Sequence, residues 1–235
     1  MASQFASPAA DSIVTSQMHT FGPIIIVNPN SSHAVTEAAV KALAPFRLLN
    51  GPDYEGLTIT RGPATISTDR DVAEATIHLA EELPKRSDAS AFVIACFSDP
   101  GLDLLRDLVP QPVFGLQEAA VLTAMGRADR FGVIALSSGS VYRHVTRLRR
   151  MGLIERMVGE IGLSGVSALE AGSSQLAFNE AVDVGRHLVS MGARCIVLGC
   201  AGFSPRRQEL EFAIGVPVID PVQAAGMFAL AAVLA

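Results

Sequence analysis

Two cysteines occupy matching positions in two similar stretches of this chain, and their thiols are suited to proton transfer near neutral pH. Cys96 ends the apolar run that begins at Ala91, and Cys200 ends the run that begins at Cys195. An unperturbed thiol has a pKa of about 8.5, so one site can hold a thiolate and a thiol together. A thiolate on one face of a tetrahedral carbon removes a proton, and a thiol on the other face returns one. Two opposed cysteines therefore predict general acid–base chemistry that inverts a stereocentre.

The two cysteine segments belong to a longer internal repeat. Cys96 and Cys200 lie 104 positions apart, and Pro112 and Pro217, which open the next matching segments, lie 105 apart. This nearly constant spacing indicates a duplication. Small residues follow each cysteine and allow backbone N–H groups to approach a ligand closely. Such groups are suited to stabilise the negative charge that builds on oxygen when a carbon beside a carbonyl loses its proton.

Short apolar runs alternate with helical patterns along the chain, which is typical of βαβ units and predicts a doubly wound α/β fold with parallel sheets. The predicted strands are Ile24–Val27, Leu57–Thr60, Ala91–Ala95, Val113–Gly115, Gly132–Leu136, Val166–Glu170, Cys195–Gly199 and Val216–Ile219. The predicted helices include Ala34–Leu43, Arg70–Leu83, Gly139–Met151 and Asn179–Met191.

Ligands of open parallel sheets bind outside the carboxyl ends of the strands, and both cysteines stand at such ends. If the two halves pack with these ends toward each other, the thiols approach one cleft from opposite sides. Other loops at strand ends are expected to line the same cleft: Asn28–Ser32, Arg61–Pro63, Ser137–Ser140 and Gly172–Ser174.

The repeat also divides the chain. Residues 23–116 are predicted to form the first α/β subdomain, completed by residues 222–235, and residues 117–221 are predicted to form the second. Residues 1–22 are polar and rich in Ala and Ser, without a basic start and an apolar core, so we expect a flexible tail and no secretory signal.

The composition excludes several classes of function. The formal net charge of −5 provides no basic surface for nucleic acid or an anionic membrane, and no apolar run reaches the ~18 residues that a membrane span needs. The three cysteines show no C-x-x-C spacing, which favours a reduced cytoplasmic protein without disulfides. The five His residues are scattered, and phosphate-binding glycine motifs are absent, so we expect neither a metal nor a cofactor.

Three segments of this chain carry a resemblance to a known family. The Asn28–Asn30 opening, the Ala95–Gly101 loop and the Leu198–Gly202 loop together resemble the aspartate/glutamate racemase superfamily, and within it the hydantoin and allantoin racemase branch. The resemblance covers residues 23 to 235. It implies two α/β subdomains related by pseudo-twofold symmetry, an active site in the cleft between them, and two-base racemisation without a cofactor.

Carried over by position, the resemblance assigns roles to eight residues. It implies that Cys96 and Cys200 are the acid–base pair. It further implies that substrate is bound by Phe97, Ser98, Ala201 and Gly202, which hold a carbonyl or carboxylate, and by Asn28 and Ser138, which line the pocket.

The cysteine loops depart from the pattern of the amino-acid racemases, which carry Cys-Asn-Thr and Cys-Thr-His. Here the loops read Cys96-Phe97-Ser98 and Cys200-Ala201-Gly202, so the His that assists the second thiol is missing. A hydantoin ring, with its more acidic C–H, needs less assistance. We therefore expect a cofactor-independent racemase of 5-substituted hydantoins or related ureides.

Several alternatives remain open from the sequence. A maleate-type cis–trans isomerase would add one cysteine to an alkene, whereas the related arylmalonate decarboxylases keep only the second cysteine. A ligand-binding protein with the same fold would need no paired bases, and a thiol redox sensor would form a Cys96–Cys200 disulfide. A small-molecule substrate and a homo-oligomer are the expected partners.

Other polar and thiol groups are interpreted structurally. Cys195, near the start of a strand, is expected to be a core residue. Asp99 is interpreted as a charge at a helix N-terminus, and the basic segment Arg143–Arg150 as a solvated helix face. No role is predicted for Glu118.

Overall fold

The computed structural model describes residues 21–235, so the predicted tail lies outside the described residues except for its last two positions. The strands are β1 (Ile24–Asn28), β2 (Tyr54–Thr58), β3 (Ala91–Ile94), β4 (Val113–Gly115), β5 (Phe131–Ala135), β6 (Met157–Gly162), β7 (Cys195–Gly199) and β8 (Val218–Ile219). The α-helices are α1 (His33–Ala42), α2 (Asp69–Glu82), α3 (Leu102–Leu108), α4 (Leu116–Arg127), α5 (Ser138–Arg150), α6 (Ala168–Ser173), α7 (Gln175–Ser190), α8 (Arg207–Ile214) and α9 (Pro221–Leu234).

The strands form two four-stranded sheets with the same topology. Their orders are β2-β1-β3-β4 and β6-β5-β7-β8, and every strand pair is parallel. The second order is the first shifted by four strands, as a duplicated chain requires. The two parallel sheets confirm the predicted α/β fold with two similar subdomains.

Alternate residues of the central strands contribute to different cores. In β1, Ile24 and Ile26 belong to a large core shared by both sheets, while Ile25 and Val27 belong to a core on the outer face of the first sheet. In β7 the shared core takes Cys195, which is fully buried as expected for a structural cysteine. Side chains that alternate between two buried faces require a continuous apolar run, which is why these strands were visible in the sequence.

Two helices lie between the sheets. Helix α4 packs against α9 and β7, while α9 also packs against β1, β3 and β4 of the first sheet. The predicted boundaries at residues 23, 117 and 222 stay a prediction. Although α9 is the most apolar of the helices, its 14 residues fall short of a bilayer, and no helix within residues 21–235 is long and apolar enough to span one.

The sequence prediction of a strand at Val166–Glu170 is wrong. The strand of this region is β6, and Val166 lies in the loop that follows it. Ser167 instead caps helix α6, because its hydroxyl accepts from the Glu170 N–H while the Glu170 carboxylate accepts from the Ser167 N–H. This capping box begins a helix where the apolar residues alone resembled a strand.

Candidate active site

The carboxyl ends of both sheets meet at one pocket. Its cavity volume is about 110 Å³. Residues that follow β1 and β3 line it from one side, and residues that follow β5 and β7 line it from the other. The lining comprises Asn30, Val35, Thr65, Ile66, Ser67, Ala95, Cys96, Phe97, Ser98, Leu136, Ser137, Ser140, His144, Val166, Ala168, Gly199, Cys200 and Ala201.

The two cysteines have equivalent surroundings within this pocket. Each lies just beyond the end of a central strand, β3 for Cys96 and β7 for Cys200, and each is partly buried. The backbone N–H two residues later points at each sulfur: Ser98 N–H at Cys96, and Gly202 N–H at Cys200 with a distance of 3.4 Å. Each sulfur therefore has a fixed donor that stabilises its thiolate form.

Burial nevertheless dominates the titration of both thiols. It raises the pKa of Cys96 to about 12 and the pKa of Cys200 to about 11, although the N–H bonds work in the opposite direction. A negative charge on Cys200 raises the pKa of Cys96 further, and the Arg143 guanidinium lowers it. The two sulfurs are therefore close enough to influence each other, and a state with two thiolates is disfavoured.

The structure brings five of the eight predicted site residues into the pocket lining: Cys96, Phe97, Ser98, Cys200 and Ala201. Gly202 is buried behind them and contributes through its N–H. Ser138 is exposed at the start of α5 and outside the lining, whereas Ser137 and Ser140, on either side, line the pocket.

Asn28 also lies outside the lining and is fully buried beneath it. Its side-chain amide donates to Asn30 Oδ1 at 2.9 Å and to Thr36 Oγ1 at 3.1 Å, and its amide oxygen accepts from the Asn30 N–H. These bonds fix the loop after β1 and place Asn30, which does line the pocket.

The loops after the edge strands reach the pocket at positions that the sequence analysis missed. Thr65–Ser67 follow β2, whereas Arg61–Pro63 had been predicted, and Val166 and Ala168 follow β6, whereas Gly172–Ser174 had been predicted. Both edge strands end earlier than predicted, so a different part of each loop faces the cleft.

A buried polar chain contacts the Cys96 loop and was also missed. His144 of α5 lies with Nε2 3.1 Å from Ser98 Oγ and with Nδ1 2.5 Å from Glu160 Oε1. The side chains of His144 and Glu160 are 2% and 0% exposed. The Phe97 ring meets the His144 ring edge-on with centroids 5.0 Å apart. The chain crosses between the subdomains, because Ser98 follows β3 and the other two residues belong to the second sheet and its helix.

Asp99 was interpreted as a charge at a helix N-terminus, and the structure shows that the helix is α4. Its carboxylate accepts from the N–H groups of Gln117 and Glu118 at 2.9 and 3.0 Å, so it caps α4 instead of α3. Arg147 lies 3.0 Å from the same carboxylate. Burial raises the pKa of Asp99 to about 6, and Arg147 opposes this rise.

The segment Arg143–Arg150 is likewise more than a solvated face. Arg149 and Arg150 are exposed, but Ser140, His144 and Leu148 form a buried stripe on the same helix. One face of α5 therefore covers the pocket. Among residues 21–235, no group of three or more His, Cys, Asp or Glu side chains is arranged to hold a metal ion.

Comparison with known proteins identifies the family. A family model described as Asp/Glu/Hydantoin racemase matches residues 24–229. The hydantoin racemase of Paenarthrobacter aurescens is 36% identical over 207 residues, which cover 86% of this chain and 87% of that protein. The hydantoin racemase of Rhizobium meliloti is 32% identical over 218 residues, which cover 86% of this chain and 85% of that protein.

A solved structure agrees with these relatives. Allantoin racemase from Klebsiella pneumoniae superposes with a TM-score of 0.84 at 28% sequence identity, over 91% of this chain and 88% of that one. The residues predicted from the two cysteine loops had indicated the same branch. This chain therefore belongs to the Asp/Glu/hydantoin racemase family, in its hydantoin and allantoin racemase branch, and is an isomerase of the racemase type.

Proposed function

We propose that this protein racemises 5-substituted hydantoins or related ureides by two-base proton transfer between Cys96 and Cys200, without a cofactor. The observation that carries the proposal is the position of both thiols in one pocket, at matching strand ends of the two sheets. A single acid–base residue would reprotonate the face that it deprotonated, whereas two opposed residues can exchange a proton at each face.

The reaction begins with one thiolate and one thiol. The thiolate takes the proton from the stereocentre, and the C–H electron pair delocalises into the adjacent carbonyl to give an enolate. The opposite thiol then donates its proton to the other face, the enolate collapses, and the two sulfurs have exchanged protonation states. Because a charge on Cys200 raises the pKa of Cys96, the singly ionised pair that this cycle needs is favoured over the doubly ionised one.

The enolate oxygen requires donors, and the turn after each cysteine has backbone N–H groups. The Cys200 turn continues into a short 3-10 segment, Ala201–Arg206. Preorganised donors of this kind typically lower a barrier by about 2.7–4 kcal/mol each. Contacts of Asn28, Phe97, Ser98, Ser138, Ala201 and Gly202 with the substrate are part of this proposal.

A ureide ring suits the lining better than a free amino acid. Val35, Leu136, Val166 and Ala168 provide apolar surface, and the pocket has no Lys or Arg among its lining residues to pair with a substrate carboxylate. The names of the relatives point in the same direction, since they are hydantoin and allantoin racemases.

The reaction also fits a reducing compartment, because a Cys96–Cys200 disulfide would remove both bases. A cytoplasmic location and a homo-oligomeric state are expectations that accompany the proposal.

Circular dichroism with single enantiomers of 5-benzylhydantoin, 5-isobutylhydantoin and allantoin, in D₂O with reductant, tests the function. We expect the optical signal to decay to zero while deuterium enters at the stereocentre. The relative rates then rank the substituents.

A stable optical signal without deuterium incorporation, in folded protein, would overturn the hydantoin assignment. Turnover of an alkene diacid without solvent deuterium in the product would favour the cis–trans isomerase. Loss of CO₂ from an arylmalonate would favour the decarboxylase.

A further inference from the structure

The chain Ser98–His144–Glu160 runs from the pocket lining to the buried Glu160 carboxylate, and the two-base reaction as proposed makes no use of His144 or Glu160. Two ionisable side chains that are almost completely inaccessible, yet hydrogen-bonded in series to a pocket-lining hydroxyl, need a physical role.

The direction of the hydrogen bonds can be worked out from the Glu160 end. A carboxylate accepts hydrogen bonds and does not donate them, so its 2.5 Å contact places a proton on His144 Nδ1. In a neutral imidazole the other nitrogen, Nε2, is then an acceptor. Ser-His-Asp triads hold their imidazole in the same order, with the carboxylate at Nδ1–H and the serine hydroxyl donating to Nε2.

This arrangement determines the direction in which the Ser98 hydroxyl points its proton. With Nε2 as an acceptor 3.1 Å away, the Ser98 hydroxyl directs its proton to His144. The oxygen that faces the pocket has only lone pairs left, so it can accept a hydrogen bond from a ligand but cannot donate one.

We propose that His144, oriented by Glu160, fixes Ser98 as a hydrogen-bond acceptor, so that the site selects ligands carrying an N–H group beside the reacting carbon. In this role His144 and Glu160 are positioning residues and Ser98 determines specificity. The inference rests on the proposed function for the identity of the reacting carbon. It deepens that function because it assigns the recognition of the ureide N–H to one side chain.

The position of Ser98 suits this role. Its own N–H points at the Cys96 sulfur, so its hydroxyl lies close to the base that attacks the stereocentre. In a hydantoin the stereocentre is flanked by a carbonyl on one side and an N–H on the other. Donors of the cysteine turns suit the carbonyl, and an acceptor is required for the N–H.

His144 is held rigidly enough to impose this direction. Beyond its two ring contacts, its backbone carbonyl accepts from the Gln117 side chain at 2.8 Å, and its ring packs edge-on against Phe97. Rotation of the ring would break the contacts with both Ser98 and Glu160.

The experiment compares two ligands that differ at one atom. 5-Benzylhydantoin has N–H next to the reacting carbon, and 5-benzyloxazolidine-2,4-dione has a ring oxygen there, which is an acceptor. Dissociation constants are measured by calorimetry with the racemic compounds, at a pH where both rings are uncharged. Binding to a racemate is independent of turnover.

We expect the wild-type protein to bind the hydantoin about tenfold or more tightly than the oxygen analogue. In the analogue, the ring oxygen would face the Ser98 oxygen, and both are hydrogen-bond acceptors. Ser98→Ala and His144→Phe should reduce this preference to about threefold or less, the second by freeing the Ser98 hydroxyl to donate. His144→Gln should keep the preference, because its amide can donate to Glu160 and accept from Ser98. His187→Phe, at an exposed position of α7, is the matched control and should also keep it.

Equal binding of the two ligands by the wild-type protein, or a preference for the oxygen analogue, would overturn the inference. Retention of the full preference in Ser98→Ala or in folded His144→Phe would do the same. Deuterium exchange into 5-benzylhydantoin is followed in parallel. Exchange without ligand discrimination contradicts only this inference, whereas discrimination without exchange contradicts the racemase proposal and leaves the role of Ser98 supported.

Discussion

The loop after Cys96 and the loop after Cys200 occupy equivalent places in the two halves, but different forces hold them. The Cys96 loop is tied to the second subdomain by polar contacts, through Ser98 to His144 and through Asp99 to Arg147. The Cys200 loop packs against α1 and α6, and α1 presents Val35 to the pocket. Duplication preserved the position of each thiol and left its surroundings free to diverge.

The covering helices show the same divergence. Helix α1 begins at His33 and α5 at Ser138, so equal distances from each start pair Val35 with Ser140 and Ala39 with His144. Val35 and Ser140 both line the pocket. The two helices therefore present an aliphatic side chain at one place in the lining and a polar side chain at the equivalent place, which suits a substrate whose two flanks differ.

The two halves also differ in which carboxylate caps the central helix. Asp220 caps its own helix, α9, by accepting from the N–H groups of Val222 and Gln223. The matching position of the first half is Gly115, and the carboxylate that caps α4 there is Asp99, from the cysteine loop. Asp99 adopts a positive φ of 45°, which a non-glycine residue rarely does. The first half thus takes the capping carboxylate from its cysteine loop, whereas in the second half the capping carboxylate belongs to the helix and interacts with Ser204 of the cysteine loop.

The largest expected effect tests the equivalence of the two thiols. Cys96→Ser and Cys200→Ser should each lower racemisation by about 10²–10⁴-fold, because a serine hydroxyl is a far weaker acid–base group at neutral pH. Each variant should keep deuterium exchange on the one enantiomer that its remaining cysteine deprotonates. Enantiomer-resolved exchange by NMR measures both quantities.

Cys195→Ala, in the shared core, is the control and should retain the exchange pattern of the wild type. Normal racemisation by either single variant would show that the two halves do not share the reaction.

The next effect separates the two capping carboxylates. Asp99→Ala should lower the free energy of unfolding by about 3 kcal/mol, because two N–H groups lose their acceptor and Arg147 loses a buried partner. Asp220→Ala should lower the free energy of unfolding by about 1–2 kcal/mol. The Asp220 carboxylate accepts from backbone N–H groups but forms no direct ion pair. Urea unfolding at neutral pH measures both.

Asp107→Ala, exposed on α3, serves as the reference and should change stability by less than about 0.5 kcal/mol. Equal costs for Asp99 and Asp220 would contradict the claim that the first half relies on the ion pair.

A smaller effect tests why the first half has glycine at its cap. A Cβ on Gly115 would overlap all three carboxyl atoms of Asp99. Gly115→Ala should therefore destabilise the protein by about 1–3 kcal/mol and reduce exchange, as the cysteine loop is displaced. Gly126→Ala, near the end of the helix that Gly115 precedes, is the matched control; its new Cβ has no atom within 4 Å, and it should stabilise the protein by about 0.5–1 kcal/mol. If Gly115→Ala left the thermal unfolding temperature unchanged, the close approach of Asp99 to Gly115 would be ruled out.

The difference between the predictable and the missed elements has the same physical origin. Strands β1, β3 and β7 are buried on both faces, so their sequences are continuous apolar runs that end where the chemistry begins. Strand β6 lies at a sheet edge, is half-buried throughout, and contains two glycines and Glu160. Its mixed sequence shows neither a continuous apolar run nor a regular alternation, so the sequence analysis placed the strand several residues too late.

The site residues that belong to the repeat were predictable, whereas those that differ between the two halves were missed. The thiols stand in a duplicated pattern, whereas His144 contacts residues 46 and 16 positions away and stands in a helix that reads as basic. One signal was available: Ser140, His144 and Leu148 recur at intervals of four, and such a stripe indicates a buried helix face.

The smallest expected effect concerns the different pKa values of the two thiols. Since an equilibrium constant of one between enantiomers forces kcat/KM to be equal in both directions, the wild-type enzyme cannot report this difference. The single variants can. In Cys96→Ser the base is Cys200, whose pKa is raised to about 11 in the wild-type protein. In Cys200→Ser the base is Cys96, whose wild-type pKa of about 12 includes a contribution from Cys200 that this variant removes.

Both pKa values are raised, so the thiolate is the minor form at neutral pH and its fraction grows about tenfold per pH unit until the pKa is reached. The exchange kcat/KM of both variants should thus rise with pH, and this parameter reports the free enzyme. Because Asp99 also raises the pKa of Cys96, exchange by Cys96→Ser should level off at a lower pH than exchange by Cys200→Ser, by less than the difference between the two thiols of the wild-type protein. A plateau near pH 8.5 in either variant would mean that burial does not control that thiol, and the reverse order would mean that Arg143 outweighs the charge of Asp99 beside Cys96.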